Sequence, residues 1–398
     1  MGIRVIPHRG TCQIGGVCTE ISTDKTRLLF DFGDALEGEG DQGFLHLYGI
    51  TEGDANCQGI FLTHYHGDHI GQIPRVMREI PVYMNKTAKD ILKVQQEHKK
   101  CLGEYVWADN IFGLEPDKPV EINDLKITPI LSDHSAYKSL MYLIEGEGKR
   151  ILLTGDYRLH GKNGQLLRDK LSTIGEIDLM ITEGTNLTRT SSNYHDEDWV
   201  QEQFRDIMSR YKYVFLLASS SNLERIASFL NVAPYGYYPL MDDYQYSLME
   251  IYKRDNYLLP KAKELWRYSD LLNRAVDENR GIAFVVRASD YFIPKVKDFI
   301  EKHPDETCLI YSMWTGYEKD YKKYPKVHEL VDVCKGHVEY IHVSGHVTRE
   351  DLEEVIKLIK PRKLLIHHTS DINTEQCRLK IHKDIELINI KDKMELII

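Results

Sequence analysis

The sequence predicts an α/β protein in which a strand-rich unit is interrupted by a smaller parallel α/β unit. Three observations carry this expectation. Short apolar runs punctuated by Gly and Asp turns fill the first half of the chain. From about residue 190 such runs alternate with helical patterns, the βαβ rhythm of a small parallel sheet covered by helices. Near the end, a long amphipathic pattern leads into a strand that stops on two histidines, a return to the character of the first half.

Taken in order, "RLLFDFG", "GIFLTH", "IPVYM", "LKITPIL", "SLMYLIEG" and "RILLTGD" read as strands. "HIGQIPRVMREI" reads as a helix, with Ile70, Ile73, Met77 and Ile80 on one stripe and Pro74 in its first turn, where a missing N–H costs little. In the second region "YVFLLAS", "GIAFVVRAS", "TCLIYSMW" and "VEYIHVSG" read as buried strands, with "NLERIASFL", "KVKDFIEKH" and "KVHELVDVC" as helices between them. "REDLEEVIKLIKPRKLLIHHTS" reads as a helix followed by a strand. The tyrosine-rich "APYGYYPLMDDYQYSLMEIY" is assigned to packing and loop filling rather than to base stacking.

Composition narrows the class. At 398 residues, 42% hydrophobic and 28% charged, the chain has the size for two domains and an ordinary soluble balance. A net charge of −10 argues against a protein that coats nucleic acid nonspecifically, so any nucleic-acid contact should be a local groove. No apolar run approaches the ~18 residues of a membrane span. "MGIRVIPHRG" lacks the core of a secretory signal, and Ile6 stands where myristoylation needs Ser or Thr. A cytoplasmic chain with no membrane partner is expected. Seven scattered cysteines without a Cys-x-x-Cys fit reduced thiols.

The chemistry concentrates in "FLTHYHGDHIGQIP". His64, His66, Asp68 and His69 fall within six residues, in a chain with 17 histidines in all. Zinc takes imidazole nitrogen and carboxylate oxygen at about 2 Å. His64 and His66, one residue apart, can grip one ion from extended chain; Gly67 allows a tight turn, so that Asp68 and His69 can face a second position. Four residues do not fill two shells. Strand ends elsewhere offer His134 in "LSDHSAY", Asp156 in "ILLTGDYR", and His367 and His368 in "LLIHHTS".

These motifs, in this order, resemble the metallo-β-lactamase superfamily, and within it the β-CASP branch of nucleases that includes RNase J and the pre-mRNA 3′-end processing endonuclease. "LLFDFG" matches the first motif, with Asp31 bracing the metal loop. "THYHGDHIG" matches the superfamily signature, and "DHS" and "TGDYR" the third and fourth motifs. "LMITEGTN", "HVSGHV" and "KLLIHHTS" resemble the β-CASP motifs and place Glu183, His346 and, by aligning the last strand from Pro361, His368 rather than His367. "ASSSNLERI" resembles the first strand–helix unit of the β-CASP insert.

The resemblance implies an αββα metallo-β-lactamase sandwich from residues 1–187 and 344–398, with a β-CASP-like parallel α/β domain at 188–343. It implies two zinc ions, with manganese or iron as alternatives. His64, His66 and His134 would hold one, Asp68, His69 and His368 the other, and Asp156 would bridge them. The implied reaction is phosphodiester hydrolysis of single-stranded RNA or DNA by a hydroxide activated between the ions. Asp68, Glu183 and His346 would be the catalytic residues, His346 serving the leaving group and Glu183 setting its tautomer or holding a metal-ligating imidazole. Exo- and endonucleolytic cutting, and homo-oligomer formation, stay open. The chain stops soon after the last motif, so the C-terminal domain of RNase J is expected to be absent, and "HHTS" lacks the Gly or Glu common after the terminal histidine. Rival readings are a lactonase or glyoxalase-like thioesterase, which lacks the large insert; a flavodiiron-type oxygen reductase, which wants Glu where His66 stands; and a non-catalytic scaffold, which loses ligands.

Overall fold

The computed structural model describes residues 2–101, 110–188, 195–255, 266–267, 271–370 and 379–398. It divides into two compact units, Met1–Asn193 with Gly345–Ile398, and Tyr194–Ser344. Six of the cysteines are free; Cys377 lies outside the described residues.

The first unit is an αββα sandwich. One seven-stranded sheet runs Leu396–Ile397, Arg4–Arg9, Cys18–Ser22, Arg27–Phe30, Gly59–Phe61, Val82–Asn85 and Ile111–Leu114 across its width. The other runs Glu386–Ile388, Lys363–His367, Leu179–Glu183, Lys149–Leu153, Leu140–Gly146, Leu125–Leu131 and Val120–Ile122. Their facing sides share one apolar core, in which Phe30, Phe61, Leu140, Tyr142, Ile151 and Ile181 are all fully buried. Aromatic rings key the two sheets together: Tyr142 sits edge-on to Phe30 and Phe61 at centroid distances of 5.5 and 5.6 Å, in the geometry aromatic quadrupoles favour. On the outer side of the second sheet, the helices Gly164–Ser172 and Arg349–Ile359 bury Leu167, Leu171, Leu352, Val355 and Ile356 against Met141, Leu152, Met180 and Leu364. Lys86–Cys101 covers the edge strands of the first sheet with Ala88, Ile91 and Leu92.

One expected element is corrected. The stretch after His69 is a single helical turn, Gly67–Ile70, followed by a 3-10 turn, Ile73–Arg75, and no further helix. Gly71 closes the first turn through its N–H to the Gly67 carbonyl, and Pro74 has no N–H to continue it. Ile70, Ile73 and Ile80 are buried nonetheless, so the apolar spacing reports burial of a turn, not a long helix.

The second unit is a six-stranded parallel sheet, ordered Trp266–Arg267, Tyr238–Met241, Ile282–Val286, Tyr213–Leu217, Thr307–Tyr311 and Val338–Tyr340. Its central strands are buried along their whole length, which is why they read as unbroken apolar runs instead of alternating ones. Leu223–Val232 is capped at its start by the Asn222 side chain, which accepts from the Arg225 N–H.

Candidate metal centre

The candidate residues sit where strands of the first unit end. His64 and His66 follow Gly59–Phe61; Asp68 and His69 lie in the turn Gly67–Ile70; His134 follows Leu125–Leu131; and Asp156 follows Lys149–Leu153. Glu183 is the last residue of its strand, and His368 follows Lys363–His367. Strand interiors hold their side chains in the core, so polar groups collect at the ends.

Sequence positions 64 to 368 converge on one point, the Oδ2 of Asp156. It lies 3.2 Å from His69 Nε2, 3.8 Å from His64 Nε2, 3.9 Å from His368 Nε2 and 4.0 Å from His134 Nε2. On one side, His66 Nδ1 lies 3.1 Å from His64 Nε2 and 3.3 Å from His134 Nε2. On the other, His368 Nε2 lies 3.2 Å from Asp68 Oδ2. Four overlapping sets of donors could hold an ion: His64, His66 and His134; His64, His69 and Asp156; Asp68, His69 and His368; and Asp156, Glu183, His346 and His368.

Three features test whether a cation fits. Ligand atoms about 2.0–2.1 Å from a tetrahedral zinc are roughly 3.3–3.4 Å apart, close to the spacing of the His64, His66 and His134 nitrogens. His69 Nε2 and Asp156 Oδ1 are buried without an aligned hydrogen-bond partner, although buried polar atoms are rarely left so. Finally, three carboxylates, Asp31, Asp68 and Asp156, surround His69. Burial alone would lower its pKa, but Asp156, Asp31 and Asp68 outweigh it and hold the ring protonated well above the ordinary histidine value. A site that retains a proton so strongly carries an excess of negative charge suited to a metal ion.

Three neighbouring imidazoles, those of His64, His66 and His134, are neutral and have a lone pair to offer. Burial pushes His64 and His134 well below the usual value, reinforced by neighbouring rings, and takes His66 down to about 4 against Asp68 and Asp156. Burial would raise Asp156, but His368, His69 and His346 hold it well below the usual carboxylate range. A pH dependence follows for the metal-free chain. Below about pH 6.5 the unfolded state protonates these three histidines while the folded state resists, so the unfolded state binds more protons and stability falls on acidification. His69 acts with the opposite sign, its contribution being lost as pH rises. With these three and His367, which burial also lowers, against one, the melting temperature of chelator-treated protein is expected to fall between pH 7 and pH 5; a flat or rising profile would contradict it.

The opposite ring nitrogens are anchored. Asp31, at a left-handed φ of 58°, accepts from the Thr63 N–H at 2.7 Å and the Thr63 hydroxyl at 2.8 Å, and its Oδ2 is 2.8 Å from His69 Nδ1. His134 Nδ1 donates to the Gly345 carbonyl at 2.6 Å. His368 Nδ1 lies 2.6 Å from the Thr185 hydroxyl, and His64 Nδ1 lies 3.0 Å from that of Thr63. These contacts fix which nitrogen faces the centre. His368 sits at a left-handed φ of 52°. His367 is buried in the strand, burial lowers it to about 3, and it joins none of the donor sets.

Glu183 and His346 form a pair beside the centre. His346 Nδ1 is 3.1 Å from Glu183 Oε2, 3.3 Å from Oε1 and 3.6 Å from Asp156 Oδ2. The Glu183 carboxylate also accepts from the N–H groups of Tyr157, Thr185 and Val347 at 3.0, 3.3 and 3.2 Å. The His346 side chain is 23% exposed, whereas that of Glu183 is fully buried.

Several supporting residues escaped the sequence. Thr63 and Thr185 lie within named motifs but carry no signal of their own. Asn186 donates to the carbonyls of His346 and Val347 at 3.1 Å each. Arg158 and Asp133, both with fully buried side chains, pair at 2.9 Å and tie the loop bearing His134 to that bearing Asp156.

Residues 34–207 match the family model described as "Beta-lactamase superfamily domain". Residues 333–389, which include His346 and His368, match the "Zn-dependent metallo-hydrolase RNA specificity domain". The chain is 24% identical to "Ribonuclease J" of Helicobacter pylori over 92% of its own length and 56% of the relative's. It is 23% identical to "Ribonuclease J 2" of Streptococcus pyogenes, over 79% and 60%. It thus spans little more than half the length of these curated relatives. It is 22% identical to "Probable RNase MJ4" of Methanocaldococcus jannaschii over 93% and 94%. A crystal structure of a protein of unknown function from Enterococcus faecalis shares the fold over the full length of both chains, with a TM-score of 0.75 at 18% identity.

Proposed function

The chain belongs to the metallo-β-lactamase superfamily, in its RNase J-like β-CASP branch, and on that premise we propose that it is a zinc-dependent nuclease that hydrolyses single-stranded RNA. The observation that carries this reading is the convergence of four imidazole nitrogens, from both sides of the centre, within 4.0 Å of Asp156 Oδ2. One carboxylate oxygen so placed suits a ligand shared between two ions. His64, His66 and His134 would hold one ion, Asp68, His69 and His368 the other. When bound, such a pair supplies Lewis acidity, an acidified water at neutral pH and charge neutralisation for a phosphodiester.

The remaining roles belong to the chain. Asp31, Thr63, Thr185 and the Gly345 carbonyl orient the ligating rings. Glu183, whose oxygens are occupied by three backbone N–H groups and His346, is a positioning residue that keeps the proton on His346 Nδ1. His346, the partly exposed member of the pair, donates a proton to the departing oxygen or grips the scissile phosphate. No described helix is long and apolar enough to cross a membrane.

The test is incubation with end-labelled single-stranded RNA and DNA, with and without chelator, beside a lactone and a thioester. RNA cleavage that chelator stops is the expected result. Turnover of only the lactone or thioester would replace this reading with the small-ester hydrolase.

A further inference from the structure

Ligands of parallel α/β sheets gather at the carboxyl ends of the strands. In the second unit, the strand Thr307–Tyr311 leads at that end into "WTGYEKDYKKYPK", residues 314–326. This run holds Trp314, three tyrosines and four lysines against Glu318 and Asp320; Lys326 is paired with Asp290 and Glu329, which leaves Lys319, Lys322 and Lys323 a small local excess of positive charge in a chain of net −10.

Its aromatic rings divide into two groups. Tyr311 is fully buried and donates its hydroxyl to the Trp314 carbonyl at 2.9 Å, fixing the turn. Tyr317 lies between Trp314 and Tyr324, at centroid distances of 5.5 and 4.8 Å. Within this group Trp314 is 48% exposed; Tyr321, whose ring lies 6.1 Å from that of His328, is 58% exposed, and Tyr340 49%. Tyr340 belongs to the same surface: its ring lies 5.4 Å from that of Tyr311, and its hydroxyl donates to Glu318 at 2.8 Å. Lys319 and Lys322 are exposed between these rings in sequence, and the Lys323 Nζ lies 5.5 Å from the Tyr324 centroid. Single exposed apolar side chains are ordinary. Two large rings, Trp314 and Tyr340, half-exposed against packed aromatic neighbours, with exposed Tyr321 and lysines in the same segment, make the pattern of a surface that stacks unpaired bases and attracts their phosphates.

We propose that Trp314, Tyr321 and Tyr340, with Lys319 and Lys322, form a stacking platform for single-stranded RNA. The proposal rests on the nuclease reading and adds to it a binding surface outside the metal centre. The faces of bases are reachable in a single strand and covered in a duplex, so the platform discriminates between the two.

The test uses the full chain in chelator, so that RNA is bound but not cut. Equilibrium binding of fluorescently labelled oligo(U) and of a blunt RNA duplex is measured for wild type, Trp314→Phe and the double variant Trp314→Ala/Tyr321→Ala, with melting temperature as the control for folding. The double variant is expected to bind oligo(U) roughly 5- to 150-fold more weakly for each stacked base lost, to bind the duplex as wild type does, and Trp314→Phe is expected to retain most of the affinity. Undiminished oligo(U) binding by the double variant overturns the platform and leaves the nuclease reading standing. Equal losses for oligo(U) and duplex overturn stacking as the mode of contact. Wild type that neither binds nor cleaves single-stranded RNA overturns the nuclease reading itself.

Discussion

Replacing Asp156 with alanine is expected to reduce the metal content of the protein from about two ions to one or none and to take RNA cleavage to background. The Asp156 carboxylate is the group common to both halves of the centre, with imidazoles of each half at 3.2–4.0 Å. Without it, each half retains three donors but loses the anion that they share, and His69 loses the first of the carboxylates that raise its pKa. Asp156→Asn retains the shape and one oxygen without the charge, so its metal content should fall between alanine and wild type. Metal analysis of the three proteins, purified in parallel and checked for folding by circular dichroism, measures this. Full occupancy and full cleavage in Asp156→Ala would show that the carboxylate bridges nothing.

The second large effect is expected at His346, with the opposite signature. His346→Ala should retain both ions and the fold, because Glu183 keeps three backbone N–H donors and is not stranded. Cleavage of RNA should fall roughly 10²–10⁴-fold, the scale of a lost general acid or base. A nitrophenyl phosphodiester has a leaving group that needs little protonation, so its hydrolysis should fall much less. His346 also appears in one donor set with Asp156, Glu183 and His368. Were it a ligand, the variant would lose metal and both substrates would suffer equally. Zinc content and the two rate ratios separate the roles.

How much of this was legible in the sequence follows from how local each signal is. His64, His66, Asp68 and His69 announce themselves because four donors lie within six residues. The strand ends, where a sandwich exposes polar groups, pointed to His134, Asp156 and both His367 and His368, and the resemblance to the family's last motif chose His368. The αββα layers were legible through the superfamily motifs, and the parallel sheet through its unbroken apolar runs. The strands Arg4–Arg9 and Cys18–Ser22 went unread: in the first, the buried face is Val5, Pro7 and Arg9 while Ile6 lies on the other face, so apolarity does not track burial, and the second mixes Thr, Glu and Ser into buried positions. The helix expected after His69 failed because burial spacing alone does not distinguish a long helix from a pair of turns, and Gly71 and Pro74 decided the matter. The anchoring contacts were beyond reach for a different reason. Thr185 meets His368 across 183 residues and His134 meets the Gly345 carbonyl across 211, pairings created by chain closure with no trace in either local segment.

The central claim is that two metal ions in this His/Asp centre drive cleavage of single-stranded RNA, and a metal titration tests it most directly. Protein stripped by chelator and dialysed is given zinc in increments while cleavage of end-labelled single-stranded RNA is followed. No cleavage is expected at zero metal, with recovery that saturates near two equivalents per chain. Full cleavage by protein shown to hold no metal would contradict it.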